Sequence, residues 1–288
     1  MKILVSDYSS NYTTEPLYIN TVLNQIGCKS TLLSENMSVY DGFDLSKPDV
    51  HITHFKTITR DLIEYLKNNQ SSIDLIINIT EIDQQTLHKL DKILHDNKLK
   101  PCFYFTNEYD HNLVSRNNIT TILLGADLFI PSSHKHYDID YAIIVEDSVD
   151  ISEYGETYHF LSCNNNMEHK VDIFLPVSKL KQLYPNYKHV LFKYFDGVFT
   201  QMFFDAGYAG IPIFYDVGVD EKDLLTKQLS KLLGKENCCS LDDINSGYIR
   251  DIVMAKHTCF HRVKSILSQL PAKEYVDNLQ KIIQGLPE

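Results

Sequence analysis

The chain has 288 residues, of which 43% are hydrophobic, 11% aromatic and 23% charged, and its formal net charge is −11. That length favours two folded domains of roughly 100–150 residues each, and the apolar content can supply a core to both. The negative balance repels a phosphate backbone and the lysines form no block, so nucleic acid is not favoured as a partner; no run approaches the ~20 apolar residues of a membrane-spanning helix.

Met1 leads directly into KILV without the three-part layout of a secretory signal, which makes the expected address cytoplasmic. The cysteines, at 28, 102, 163, 238, 239 and 259, include one adjacent pair and no C-x-x-C, a pattern of reduced thiols rather than of a zinc site or a disulfide framework.

KILVSD (2–7) reads as a β-strand, and after the polar loop YSSNYTT the segment EPLYINTVLNQIG (15–27) carries Leu17, Val22, Leu23 and Ile26 near helical spacing. Pro16 suits a first helical turn behind a Thr13 or Thr14 cap, and Gly27 suits its end. Further strands are predicted at KSTLLS (29–34), PDVHITHF (48–55), IDLIINIT (73–80) and KPCFYFTN (100–107), with helices at RDLIEYLKNN (60–69) and QTLHKLDKILHDN (85–97). Continuous apolar strands alternating with helices imply a parallel sheet covered on both faces.

Residues 108–140 are less regular: TTILLGADLFIPSS (120–133) can hold a short strand pair, and SSHKHYDID reads as a connector. A second series follows, with strands at YAIIVED (141–147), KVDIFLP (170–176), KHVLFKYF (188–195), IPIFYDV (211–217) and NCCS (237–240). Its helices are predicted around 148–162, 176–184, 200–210 and 219–233, and long helices close the chain at about 246–269 and 273–284. The whole predicts an α/β chain of two Rossmann-like domains, 1–135 and 136–272, with parallel sheets facing across a cleft, and a carboxyl-terminal helix within 273–288.

One stretch, FFDAGYAGIPIFYD (203–216), puts an acid inside an apolar helix just before a turn. Phe203, Ala206 and Gly210 share a helical face, Asp205 lies about a third of a turn away, and the plain expectation is that it reaches solvent. Ligands of open parallel sheets bind outside the carboxyl ends of the strands, where helix amino termini receive phosphate. The loop KYFDGVFT (193–200) occupies such a place, so amides between Gly197 and Thr200 can hold a phosphate while Asp205 accepts from a sugar diol, which together describe a nucleotide sugar.

FFDAGYAGIPIFYD resembles the F-E-A-L-A-x-G-x-P-x-I signature in the carboxyl domain of GT-B glycosyltransferases. KHTCFHRVKSIL (256–267) is similar to the H-T-Y-x-x-R-v-x-x-L run of the CgeB-like branch, related to glycosyltransferase family 1. The resemblance implies a glycosyltransferase, hexosyl or related and metal-independent, with a UDP- or GDP-sugar donor on the second domain. The acceptor, on the first, is a glycan, protein or small molecule. It also implies that Asp205 matches the glutamate that binds the nucleotide ribose, and that Gly197–Thr200 lies near the donor phosphates. Two departures stand out: the glutamate is one methylene shorter here, and the second acid many members carry eight positions earlier is replaced by Gly197, beside Asp196.

A departing diphosphate needs positive charge or helix amides, and Lys193, directly after its strand, is the candidate cation; the alternative for it is a solvated lysine. In the first domain the candidate catalytic residues stand at carboxyl ends of strands: Asp7, His54 and Glu108. A histidine ordinarily titrates near neutrality, so His54 is a candidate general base, although HITHF alternates and either His51 or His54 can be a hydrogen-bonded core residue. SDYSS (6–10) lacks the glycines of a dinucleotide fingerprint, so that turn suits an acceptor better than a pyrophosphate. His257 and His261 stand four apart on a predicted helix with no third ligand, a spacing read as packing or surface. Two other readings share the scaffold: a nucleotide-sugar epimerase, and a non-catalytic binding protein whose site has decayed.

Overall fold

The computed structural model describes residues 1–8, 14–34, 52–54, 58–69, 72–80, 84–98, 102–107, 119–122, 125–129, 141–144, 158–162, 173–174, 182–192, 201–216, 225–227, 229–232, 246–270 and 272–286. Two compact units emerge, one of Met1–Leu124 with Cys259–Pro287, the other of Gly125–Thr258.

The first unit holds strands β1 (Lys2–Tyr8), β2 (Lys29–Ser34), β3 (Ile52–His54), β4 (Leu75–Thr80), β5 (Cys102–Asn107) and β6 (Ile119–Ile122). They form one parallel sheet in the order β3-β2-β1-β4-β5-β6. This is the doubly wound order of a Rossmann sheet, which reverses direction between its first and fourth strands. Its helices α1 (Glu15–Gln25), α2 (Ile58–Asn69) and α3 (Gln84–Asp96) follow from the sequence signals. Pro16 sits in the first turn of α1 behind Thr14, and Gly27, at φ +92°, ends it in a conformation a side chain resists.

The second unit repeats the winding with five strands: β7 (Tyr141–Ile144), β8 (Tyr158–Ser162), β9 (Ile173–Phe174), β10 (His189–Phe192) and β11 (Ile213–Tyr215). Their order is β11-β10-β7-β8-β9, all parallel, so the switch point lies between β7 and β10. Helix α4 (Gln201–Ala209) links β10 to β11, and α5 (Ser246–Lys256) packs against α4. The chain then re-enters the first unit, where α6 (Cys259–Ser268) lies on α1 and α7 (Lys273–Gln284) lies on α6. Lys264 of α6 donates to the Gln280 amide oxygen of α7, and the Met1 ammonium donates to the Tyr275 hydroxyl at 2.8 Å.

Three sequence expectations change. Residues 158–162 are strand rather than helix, because YHFLS pairs in continuous parallel register with β7 and its ring-bearing residues suit a sheet surface. Within 120–133 the described residues contain the end of one strand, β6, and an isolated bridge from Ala126 to Thr258 instead of a strand pair. That bridge also breaks the long helix expected over 246–269: His257 and Thr258 leave helical geometry to pair with it, so His257 and His261 do not share a helix. The predicted strand at 237–240 lies outside the described residues.

Candidate functional site

Because β10 runs parallel to its neighbours, its carboxyl end and the start of α4 lie on one edge of the second sheet, beside the β7/β10 switch point. This is the edge where sheets of this winding take their ligands. Lys193, Gly197 and Thr200 belong to the β10–α4 connection and lie outside the described residues.

Helix α4 is short and enclosed: Gln201 through Gly207 are all buried. The Phe203 ring lies against Tyr215 with centroids 6.3 Å apart, and the Phe204 ring stacks on His257 at 5.5 Å and 30°. Gly207 permits the close approach to α5, since a Cβ there would stand 2.8 Å from Ile249 Cγ2 and 3.1 Å from Val253 Cγ2. Gly210, at φ +73°, turns the chain out of the helix, and the Gly210 and Ile211 amides donate to Gly207 and Ala206 carbonyls at 3.0 and 3.4 Å. The two glycines of the motif are therefore explained by packing and by helix termination.

Asp205 does not reach solvent; its exposure is 0%. Its Oδ1 accepts the Asp127 backbone N–H at 3.0 Å and its Oδ2 accepts the Gln201 side-chain amide at 3.3 Å. Asp127 is equally buried, and its own Oδ1 accepts the Phe129 N–H at 2.9 Å, which fixes a tight turn. One residue earlier, the Ala126 N–H donates to the His257 carbonyl at 2.8 Å. A buried carboxylate is costly unless donors surround it, and backbone and amide donors meet this one.

In the first unit, Asp7 lies near the carboxyl end of β1 and His54 is the last residue of β3. Ser34 of β2 pairs with His54, so the two backbones share the sheet's carboxyl edge two strands apart, about 10 Å. Glu108 follows Asn107 at the end of β5, outside the described residues. Asn107, on β5, lies four strands from β3, about 19 Å across the sheet, and Asp7, on β1, stands midway, two strands or about 10 Å from each. Among the described residues no group of three or more His, Cys, Asp or Glu side chains is arranged to hold a metal ion, and no helix is long and apolar enough to cross a membrane.

Residues that sequence reasoning missed are Gln201 and Asp127 as partners of Asp205, and His257 as the partner of Phe204. Gln201 stands four before Asp205, a spacing that brings helical side chains together and was available to find it. Asp127 is 78 residues away in the chain, and nothing local announces it.

No protein-family model matches the chain and no curated protein does. Among solved structures it is similar to the Streptomyces sp. SF2575 glycosyltransferase SsfS6 complexed with thymidine diphosphate, at 11% identity and a TM-score of 0.44 over 94% of this chain and 100% of that one. Arabidopsis thaliana UGT89C1 complexed with UDP-L-rhamnose is similar at 10% identity and TM-score 0.45, covering 98% of each chain. The glycotransferase of kitacinnamycin is similar at 10% identity and TM-score 0.44, covering 99% of each. None of them assigns this chain to a family.

Proposed function

We propose that the chain is a GT-B-type glycosyltransferase of the CgeB-like kind, moving a sugar from a UDP- or GDP-linked donor to a glycan, protein or small-molecule acceptor without a metal. The observation that carries this reading is the position of the motif helix: α4, with its F-D-A-G-Y-A-G-I-P run, starts at the carboxyl edge of a Rossmann-ordered sheet beside the switch point. The donor diphosphate lies along Lys193 and the Gly197–Thr200 amides, whose dipoles favour negative charge. Asp205 binds the ribose by exchanging its 3.3 Å Gln201 bond for a sugar hydroxyl while it keeps the Asp127 N–H. In the transfer a base, His54 with Asp7 or Glu108 as alternatives, takes the acceptor hydroxyl proton. The acceptor oxygen bonds the anomeric carbon, the bond to the diphosphate breaks, and the nucleoside diphosphate leaves with that electron pair.

The full enclosure of Asp205 favours a second reading, a binding protein in which the acid only braces the fold. A melting-temperature panel with UDP, GDP and their sugars separates the two. The transferase reading expects at least one nucleotide to raise the midpoint by several degrees, an effect Asp205→Ala abolishes, and slow hydrolysis of one donor to free sugar. A midpoint that no nucleotide moves overturns it.

A further inference from the structure

The chain leaves the second unit at two places, between Leu124 and Gly125 and between Thr258 and Cys259. The segments just inside these crossings are joined: the Ala126 N–H donates to the His257 carbonyl at 2.8 Å, and Ala126 forms a parallel bridge with Thr258. Helix α4 holds each of them with a neighbouring residue. Asp205 takes the Asp127 N–H at 3.0 Å on one crossing, and the Phe204 ring stacks on His257 at 5.5 Å on the other. Ala126, Asp127, Asp205, Phe204 and Thr258 are all fully buried, so water does not compete for these contacts.

From this geometry we infer a conformational device: the Phe204–Asp205 pair clamps both chain crossings to α4, so that they move as one with that helix. Asp205 is here a positioning residue, acting on Ala126 and His257 through the Asp127 amide it holds. The Asx turn at Asp127 stiffens the link, since the same residue that donates to Asp205 also accepts from Phe129. An event that shifts α4, such as occupancy of the edge where it starts, is thereby passed to both crossings together. The inference stands on the second unit alone and does not require that the occupant be a nucleotide sugar.

Residue-resolved amide hydrogen exchange on the full chain tests it. In Asp205→Ala the Asp127 and Ala126 amides should both exchange at least tenfold faster, while Val190 and Leu191 in β10 stay as in the parent. Asp205→Asn keeps an oxygen for the Asp127 N–H and should restore both. Phe204→Leu, a milder change that keeps the core apolar, should speed Ala126 about threefold or more through the other arm. Faster exchange at Asp127 alone, with Ala126 unmoved in both variants, would overturn the clamp, because the two crossings would then be held independently. Should Asp205→Ala fail to fold, the Asn and Leu variants decide: Ala126 unaffected by Phe204→Leu overturns it.

Discussion

Helices α1 and α4 follow strands at the switch points of their respective sheets, and both are enclosed on all sides, from Glu15 to Leu23 in one and from Gln201 to Gly207 in the other. They meet that enclosure differently. In α1 two polar side chains serve their own neighbourhood: Thr21 donates to the Leu17 carbonyl at 2.9 Å, and Asn24 exchanges bonds with Ser30 at the start of β2. In α4 the acid reaches a backbone amide 78 residues away, and a glycine replaces a side chain where α5 presses in. A helix that only packs can satisfy its polar groups locally, whereas one that organises its surroundings exports them.

The sharpest way to break this comparison is to give each helix a methyl where it has a glycine. Gly207→Ala forces a Cβ to 2.8 Å from Ile249 and should cost about 1–3 kcal/mol in urea unfolding. Gly27→Ala, at φ +92° with no atom within 4 Å, should cost about 1 kcal/mol through backbone strain alone. Equal losses would mean that α4 and α5 yield more easily than their contact suggests.

No larger, and opposite to each other in sign, are the effects of replacing one buried amide on each helix. Asn20 in α1 is fully buried, and neither atom of its side-chain amide has a hydrogen-bond partner, so Asn20→Leu should stabilise by about 1 kcal/mol. Gln201 is as deep but donates to Asp205, so Gln201→Leu should destabilise by a similar amount, about 1 kcal/mol. Thermal melts of the two single variants give both signs at once.

The smallest expected effects are in the pH dependence, and they fall on opposite limbs. Burial lowers the His189 pKa below 6.5, with its ring stacked on Tyr141 and met edge-on by Phe214. The unfolded chain therefore binds the proton more readily, and stability present above about pH 6.5 is lost as the pH falls toward the folded value. At the first sheet, burial raises the Cys28 thiol from 9.0 to about 11, opposed by the nearby amino terminus and reinforced by Glu274. The thiol stays neutral in the fold, so stability present below pH 9.0 is lost as the pH climbs toward about 11. Urea midpoints measured across pH should lose part of the acid slope in His189→Phe and part of the alkaline slope in Cys28→Ala; slopes unchanged in both would discount these two sites.

Much of this architecture was legible before the fold. The start of α1 was marked by Pro16 and its end by Gly27, and the strands IDLIINIT and KPCFYFTN by unbroken apolar runs, because such signals act within a few residues. YHFLS was misread since a five-residue aromatic run fits either period until a partner strand, β7, supplies its hydrogen bonds. The break at His257–Thr258 was invisible for the same reason, its cause being a bridge to Ala126.

By itself the sequence determined the alternation of strands and helices, the apolar character that makes the sheets parallel, and the glycine–proline punctuation after α4, all consequences of backbone sterics and local periodicity. The tertiary structure alone decided the strand orders, the enclosure of Asp205 and its bond to Asp127. Those depend on which distant segments meet, and a short stretch of chain has no physical means of specifying its partner's address.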